Sequence, residues 1–98
     1  LLLSTTPQQL EYFADFFKAL AHPTRVFIVE QLADGEKCVC ELSEMIEADT
    51  STVSRHLAVL KNAGILTASK RANQVFYELR TPCILNFLMC LRGLQETG

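Results

Sequence analysis

Tryptophan is absent from the 98-residue chain, and there are only four glycines and three prolines. A composition so poor in loop formers excludes collagen-like, Pro-rich and Gly/Ser-linker proteins. Long apolar runs are missing too. The longest, Ile84 to Leu91, is interrupted by Asn86 and ended by Arg92. That is far short of the roughly 20 residues that span a bilayer, so no membrane partner is expected. The leading Leu1, Leu2 and Leu3 are too few for the apolar region of a signal peptide. Because the chain begins on Leu1, its natural N-terminus is expected to lie outside it. The most informative absence is one of charge. From Thr50 to Tyr77 there is no Asp or Glu, while Arg55, Lys61, Lys70 and Arg71 are present.

That gap belongs to a wider polarity. Residues 1–49 hold nine acids and three bases, and residues 50–98 hold two acids and six bases. The net charge of −2 therefore conceals a basic half and is compatible with a nucleic-acid partner. The length fits a single domain over 1–98. Apolar residues make up 49% of it, more than so small a core needs, which points to burial against a second copy. Four cysteines in a helical, glycine-poor chain do not form a secreted disulfide scaffold. In a cytoplasmic protein, the localisation expected here, such cysteines are free, metal-bound or redox-active.

Asp49 to Gly64 is the stretch around which the chain is organised. Val53, Leu57 and Leu60 fall at i, i+4 and i+7, an apolar helix stripe that Ala63 continues. Asp49, Thr50 or Ser51 can cap its start, and Gly64 can terminate it in the left-handed conformation. Ser51, Thr52, Ser54, Arg55 and His56 remain for the outer face. Small hydroxyls and long donors without a carboxylate suit a DNA major groove, the hydroxyls holding phosphates while Arg55 and His56 reach base edges. An ordinary solvated helix face has a similar composition; the one-sided charge favours DNA.

Around that helix the pattern is regular. Pro7 opens a first helix to about 21, with apolar residues at 10, 13, 14, 17, 20 and 21; Tyr12 and Phe16 lie off that stripe and suit a contact between subunits. His22-Pro23 breaks it, and a second helix runs from Thr24 to Ala33 until Asp34-Gly35. His22 reads as a structural linker histidine. A third, from about Val39 to Glu47, turns through Ala48-Asp49-Thr50 into the recognition helix, about 50–63, which makes a helix-turn-helix. Strands at 65–69 and 74–80 then form a hairpin wing (about 65–80). Lys70-Arg71-Ala72-Asn73 joins them, with Asn73 expected in the left-handed turn position. Lys70, Arg71 and Gln74 can reach backbone or minor groove. Pro82 opens a last helix, about 82–95, apolar on nearly every side and so expected to be buried on two faces, one of them in a dimer. The fold class is thus mainly α with a β-hairpin wing, a winged helix-turn-helix of order α-α-α-α-β-β-α.

Cys38-Val39-Cys40 is the reactive feature. On a regular helix, side chains two apart diverge, but in an extended or capping segment they share a side. Following Gly35-Glu36-Lys37 and preceding an apolar-periodic run, the pair sits at a helix start, whose positive end lowers thiol pKa. Simple packing of these cysteines is the plainer alternative. Cys83 and Cys90, two helical turns apart, share a face with Phe87 and serve equally as ligands or as small apolar residues.

Leu20-Ala21-His22-Pro23-Thr24-Arg25, Cys38-Val39-Cys40-Glu41-Leu42, Ser51-Thr52-Val53-Ser54-Arg55-His56-Leu57, Leu60-Lys61-Asn62-Ala63-Gly64-Ile65-Leu66 and Phe76-Tyr77-Glu78-Leu79 together resemble the ArsR/SmtB metal-sensing winged-helix repressors. The resemblance covers essentially the whole chain. It implies a homodimer joined through first and last helices, bound to a palindromic double-stranded DNA operator, with Ser51, Thr52, Ser54, Arg55 and His56 toward the major groove. It also implies a thiolate site at Cys38 and Cys40 for arsenite, antimonite, cadmium or lead, that is As(III)/Sb(III) or Cd(II)/Pb(II), acting as inducer and with no obligatory cofactor. Two departures stand out. Asn73 replaces the usual wing glycine, and Ser43 stands where arsenic-sensing members have a third cysteine. A third sulfur would come from Cys83, Cys90 or a cysteine preceding Leu1. The last helix lacks the His/Asp/Glu set of zinc-sensing members.

The expectation is a repressor, not an enzyme, released from its operator when a thiophilic ion binds. An oxidant- or reactive-sulfur-sensing repressor of the same fold is the alternative. A small thiol oxidoreductase is disfavoured by the absence of Cys-x-x-Cys and of a βαβ pattern, and a passive metal-binding protein needs neither the acid-free helix nor the basic hairpin.

Overall fold

The computed structural model describes residues 4–97, so Leu1, Leu2, Leu3 and Gly98 lie outside the described residues. Helices α1 (Pro7–Leu20), α2 (Pro23–Gln31), α3 (Val39–Ile46) and α4 (Thr50–Asn62) precede strands β2 (Leu66–Arg71) and β3 (Gln74–Leu79), and α5 (Cys83–Thr97) closes the chain. This is the expected order with one addition, a two-residue strand β1 (Lys37–Cys38) before α3. It pairs antiparallel with β3, Lys37 opposite Tyr77 and Cys38 opposite Phe76, so the sheet order is β1-β3-β2. Two residues are too few to show a period of two, which is why the strand is invisible in the sequence.

Local chemistry sets the helix ends. Thr6 Oγ1 accepts from Gln9 N–H while Gln9 returns a bond to Thr6 N–H, a capping box before Pro7. His22 Nδ1 accepts from Thr24 N–H at 3.1 Å and caps α2, the structural role its place beside Pro23 suggests. α2 ends earlier than the sequence pattern implies, its last turn tightening into a 3-10 segment, Leu32–Asp34. Asp49 caps α4. At the other end Gly64, at φ 85°, donates to Lys61 O and Ile65 donates to Leu60 O, a Schellman closure that turns the chain straight into the wing.

Val53, Leu57 and Leu60 of α4 are fully buried, together with Ile28, Val29, Leu42 and Ile65. α4 is therefore the centre of the core, with α1, α2, α3 and β2 packed against it. α1 departs from expectation. Its inward residues are Phe16, Ala19 and Leu20, whereas Leu10, Phe13 and Phe17 of the apparent core stripe are exposed beside Tyr12. Periodicity locates an apolar face but does not say whose surface covers it. Likewise, α5 inserts Ile84, with Leu85 and Leu88 against the core, and leaves Phe87, Met89, Leu91 and Leu94 outside. Arg92 pairs with Glu30 at 2.8 Å and tethers α5 to α2. No helix among the described residues is long and apolar enough to cross a membrane.

Candidate nucleic-acid interface and sulfur site

The outer face of α4 divides on inspection of its contacts. Ser54 and Arg55 are exposed, and neither makes a side-chain hydrogen bond or ion pair among the described residues. Ser51 is exposed but its hydroxyl donates to Asp49 Oδ1 at 3.2 Å, which also accepts Thr52 N–H at 2.8 Å. The Thr52 hydroxyl first, then the Thr52 N–H, hold the Asp49 carboxyl below its ordinary range, with Ser51 and the Arg55 charge acting in the same direction. Thr52 itself is half-buried.

His56 is the clearest difference from the sequence expectation. Rather than standing outward beside Arg55, it is half-buried against α2. Its ring lies 4.5 Å from that of His22, and Arg25 Nη1 lies 3.3 Å from its Nδ1. Arg25 also donates from Nε to Ala19 O at 2.6 Å, so one guanidinium ties the end of α1 to α4. Burial, then the neighbouring His22, Arg25 and Arg55 charges, lower the His56 pKa. A depressed folded-state pKa gives stability that is complete above the unfolded value of 6.5 and is lost as pH falls through the folded value. Urea midpoints are expected to fall between about pH 7.5 and about pH 5.5, and His56→Gln is expected to flatten that dependence. An unchanged slope in the variant would remove His56 as its source.

The wing extends Lys70 into solvent, while Arg71 is folded back. Its guanidinium pairs with Glu36 and lies 4.1 Å over the Phe76 ring. Arg71 and Gln74 face each other across a two-residue turn. Ala72, at φ 55°, takes the left-handed position there, not Asn73. Asn is the better-suited residue type, but strand register, not local preference, decides which turn residue must bend.

Cys38 and Cys40 meet. Their Cα atoms are 5.4 Å apart and their sulfurs are joined as a disulfide. Cys38 is extended and caps α3: its Sγ accepts Glu41 N–H at 3.4 Å and Glu41 Oε1 accepts Cys38 N–H at 2.9 Å. Cys40 is already in the first helical turn. One residue outside the helix and one inside is what brings the side chains together. Cys38 is buried and Cys40 exposed. Beside them opens a cleft of about 310 Å³, bordered by Thr50 and Ser54 of α4 and by Asn73, Gln74 and Val75 of the hairpin. Cys83 and Cys90 are exposed and free on α5. Among the described residues no three His, Cys, Asp or Glu side chains gather as a metal cluster, so neither joins the pair within one chain. Three participants were missed in the sequence: Arg25, Glu36 and Val75. Only Arg25 carried a signal, its place in the segment following His22-Pro23.

Two helices joined by a tight turn, the second presenting unpaired Ser54 and Arg55 beside a basic hairpin, make the fold of the winged helix-turn-helix regulators. The family model for the bacterial regulatory proteins of the arsR family matches residues 22–68. A cadmium resistance regulatory protein CadC homologue of Staphylococcus aureus is 46% identical over 67 residues, covering 67% of this chain and 55% of the relative. The regulator Rv0081 of Mycobacterium tuberculosis is 38% identical over 80 residues, covering 81% and 70%. The solved structure of HlyU from Vibrio cholerae superposes with a TM-score of 0.80 at 31% identity, covering 88% of this chain and 97% of that one. The chain belongs to the ArsR family of transcriptional regulators. It spans about half the length of the CadC homologue.

Proposed function

We propose that the chain is a homodimeric, cytoplasmic repressor that binds a palindromic operator and leaves it when a thiophilic ion bridges Cys38 and Cys40. The observation that carries this reading is the position of the sulfur pair. Cys38 belongs to the strand hydrogen-bonded to β3 of the wing, Cys40 belongs to α3, and the cleft beside them reaches the first turns of α4. An ion holding both sulfurs resets the angle between wing sheet and α3, and so the spacing of two reading heads. The exposed faces of α1 and α5, carrying Tyr12, Phe13, Phe17, Phe87 and Leu94, supply an apolar surface for a twin subunit. Arsenite, antimonite, Cd(II) and Pb(II) are the inducers to test, and cadmium is the ion in the name of one relative. The test is titration of the reduced protein on labelled operator with each ion and with Zn(II), following thiolate charge-transfer absorbance and DNA release together. Absorbance without release would reject the coupling, and no operator binding would reject the class.

Arg55 is the base-reading side chain in this proposal, and Ser51, Thr52, Ser54, Lys70, Arg71 and Gln74 are backbone contacts. Arg55→Ala is expected to cost roughly 1–3 kcal/mol of operator affinity and to relax specificity at one base pair, while the dimer stays folded. Lys70→Ala is expected to weaken all sequences alike and to lower the salt slope by about one. Fluorescence anisotropy against salt separates the two.

A second reading, release by oxidants or reactive sulfur, is favoured by the joined sulfurs of Cys38 and Cys40. Peroxide or polysulfide would then release DNA where metals act weakly, and chelators would not restore binding.

A further inference from the structure

We propose that Glu36 is an affinity-setting residue of the DNA interface: its carboxylate holds Arg71 of the wing, and a DNA phosphate displaces it when the wing engages. This deepens the DNA-binding reading above and rests on it, whatever inducer the cysteines take.

Sheet register explains why the pair forms. Arg71 stands opposite Gln74, and Phe76, two residues along β3, lies diagonal to Arg71 on the same face. The guanidinium accordingly rests 4.1 Å from the centroid of the Phe76 ring. β1 supplies the anion. Lys37 opposite Tyr77 and Cys38 opposite Phe76 bring the preceding Glu36 alongside the hairpin, where its carboxylate meets Arg71. The stretch from Thr50 to Tyr77 has no acid of its own, so folding brings one to it from 35 residues away. Lys70, next to Arg71 in the strand, belongs to the opposite face, is exposed and makes no ion pair among the described residues. The two wing cations are therefore not equivalent. Lys70 is free for DNA, and Arg71 is occupied.

The pair is open to water, the Arg71 side chain being 54% exposed and that of Glu36 41%. An ion pair so placed is weak, so it withholds Arg71 without locking it. A phosphate competes for the same guanidinium and has an advantage that the carboxylate lacks, the release of counterions condensed on the duplex. In the exchange Arg71 leaves Glu36 for the phosphate, and the freed carboxylate faces the nucleic acid as an unpaired negative charge. Glu36 thus lowers affinity in two ways, by holding Arg71 in the free chain and by repelling phosphate in the complex. Only the first depends on Arg71, which makes the two separable.

The test uses the full reduced chain and a labelled DNA duplex of arbitrary sequence, because phosphate contacts do not depend on sequence, with fluorescence anisotropy as the readout. Glu36→Gln is expected to tighten binding about two- to fivefold, the range an exposed ion pair supports. Glu78→Gln is the control for bulk charge, since it removes a carboxylate from β3 that pairs with no cation among the described residues; a smaller gain is expected. Arg71→Ala is expected to cost little in the native chain, where the side chain must first be released, and several-fold more in the Glu36→Gln background. An equal gain from Glu36→Gln with and without Arg71, or one no larger than that of Glu78→Gln, would overturn the inference and leave DNA binding standing. Absence of binding by the native chain and all variants, to this duplex and to the operator, would overturn the DNA-binding reading and this inference with it.

Discussion

Cys38→Ser and Cys40→Ser variants are expected to hold operator as tightly as the native chain and to remain on it at inducer concentrations that strip the native protein. The fold tolerates both changes for specific reasons. Cys38 caps α3 through its side chain, and serine is the better cap, its oxygen accepting the same Glu41 N–H. Cys40 is exposed in the first helical turn, where serine costs little. Neither side chain belongs to the outer face of α4. What serine does not replace is the soft donor: a hydroxyl is a hard oxygen that thiophilic ions reject. Among the described residues two sulfurs converge, so losing one leaves a single ligand there, and the loss of response is expected to be complete in the anisotropy titration. A double variant that still answered every inducer would move the site to Cys83 and Cys90 on α5.

The second large effect concerns the centre of the core. Leu57→Ala is expected to lower unfolding free energy by about 2–5 kcal/mol, the range for a leucine truncated in a packed interior. Leu57 is wholly buried, with α1, α2 and α3 packed against its helix, so the space left has little freedom to collapse. For a small domain such a loss is a large share of total stability. Denaturant melts compared at one protein concentration, since subunit association contributes in a dimer, are the measurement. A shift under about 1 kcal/mol would mean that α4 is held mainly by its caps. Val59→Ala, on the same helix but exposed, is the matched control.

Much of this molecule is determined by its sequence alone. The Val53, Leu57 and Leu60 spacing, the Asp49 cap and the Gly64 stop define α4 because each is a local rule, acting within a few residues. The same holds for the wing strands and for the placing of the cysteine pair at a helix start. Tertiary structure decided the rest. Whether the stripe of α1 faces its own core or a partner is a question about neighbours, and it went against the simple reading: Phe16 turned in, and Phe13 and Phe17 turned out. His56 lies at the edge of the α4 stripe, where a small rotation separates solvent from core. Only the presence of His22 at the cap of α2 and Arg25 within it settles it inward. The pairing of Arg71 with Glu36, 35 residues apart, and the cleft between cysteines, α4 and wing exist only once β1 joins β3. Local sequence sets which surfaces are apolar, charged or capped; long-range packing sets which of them meet, because contacts between distant segments leave no periodic trace in either one.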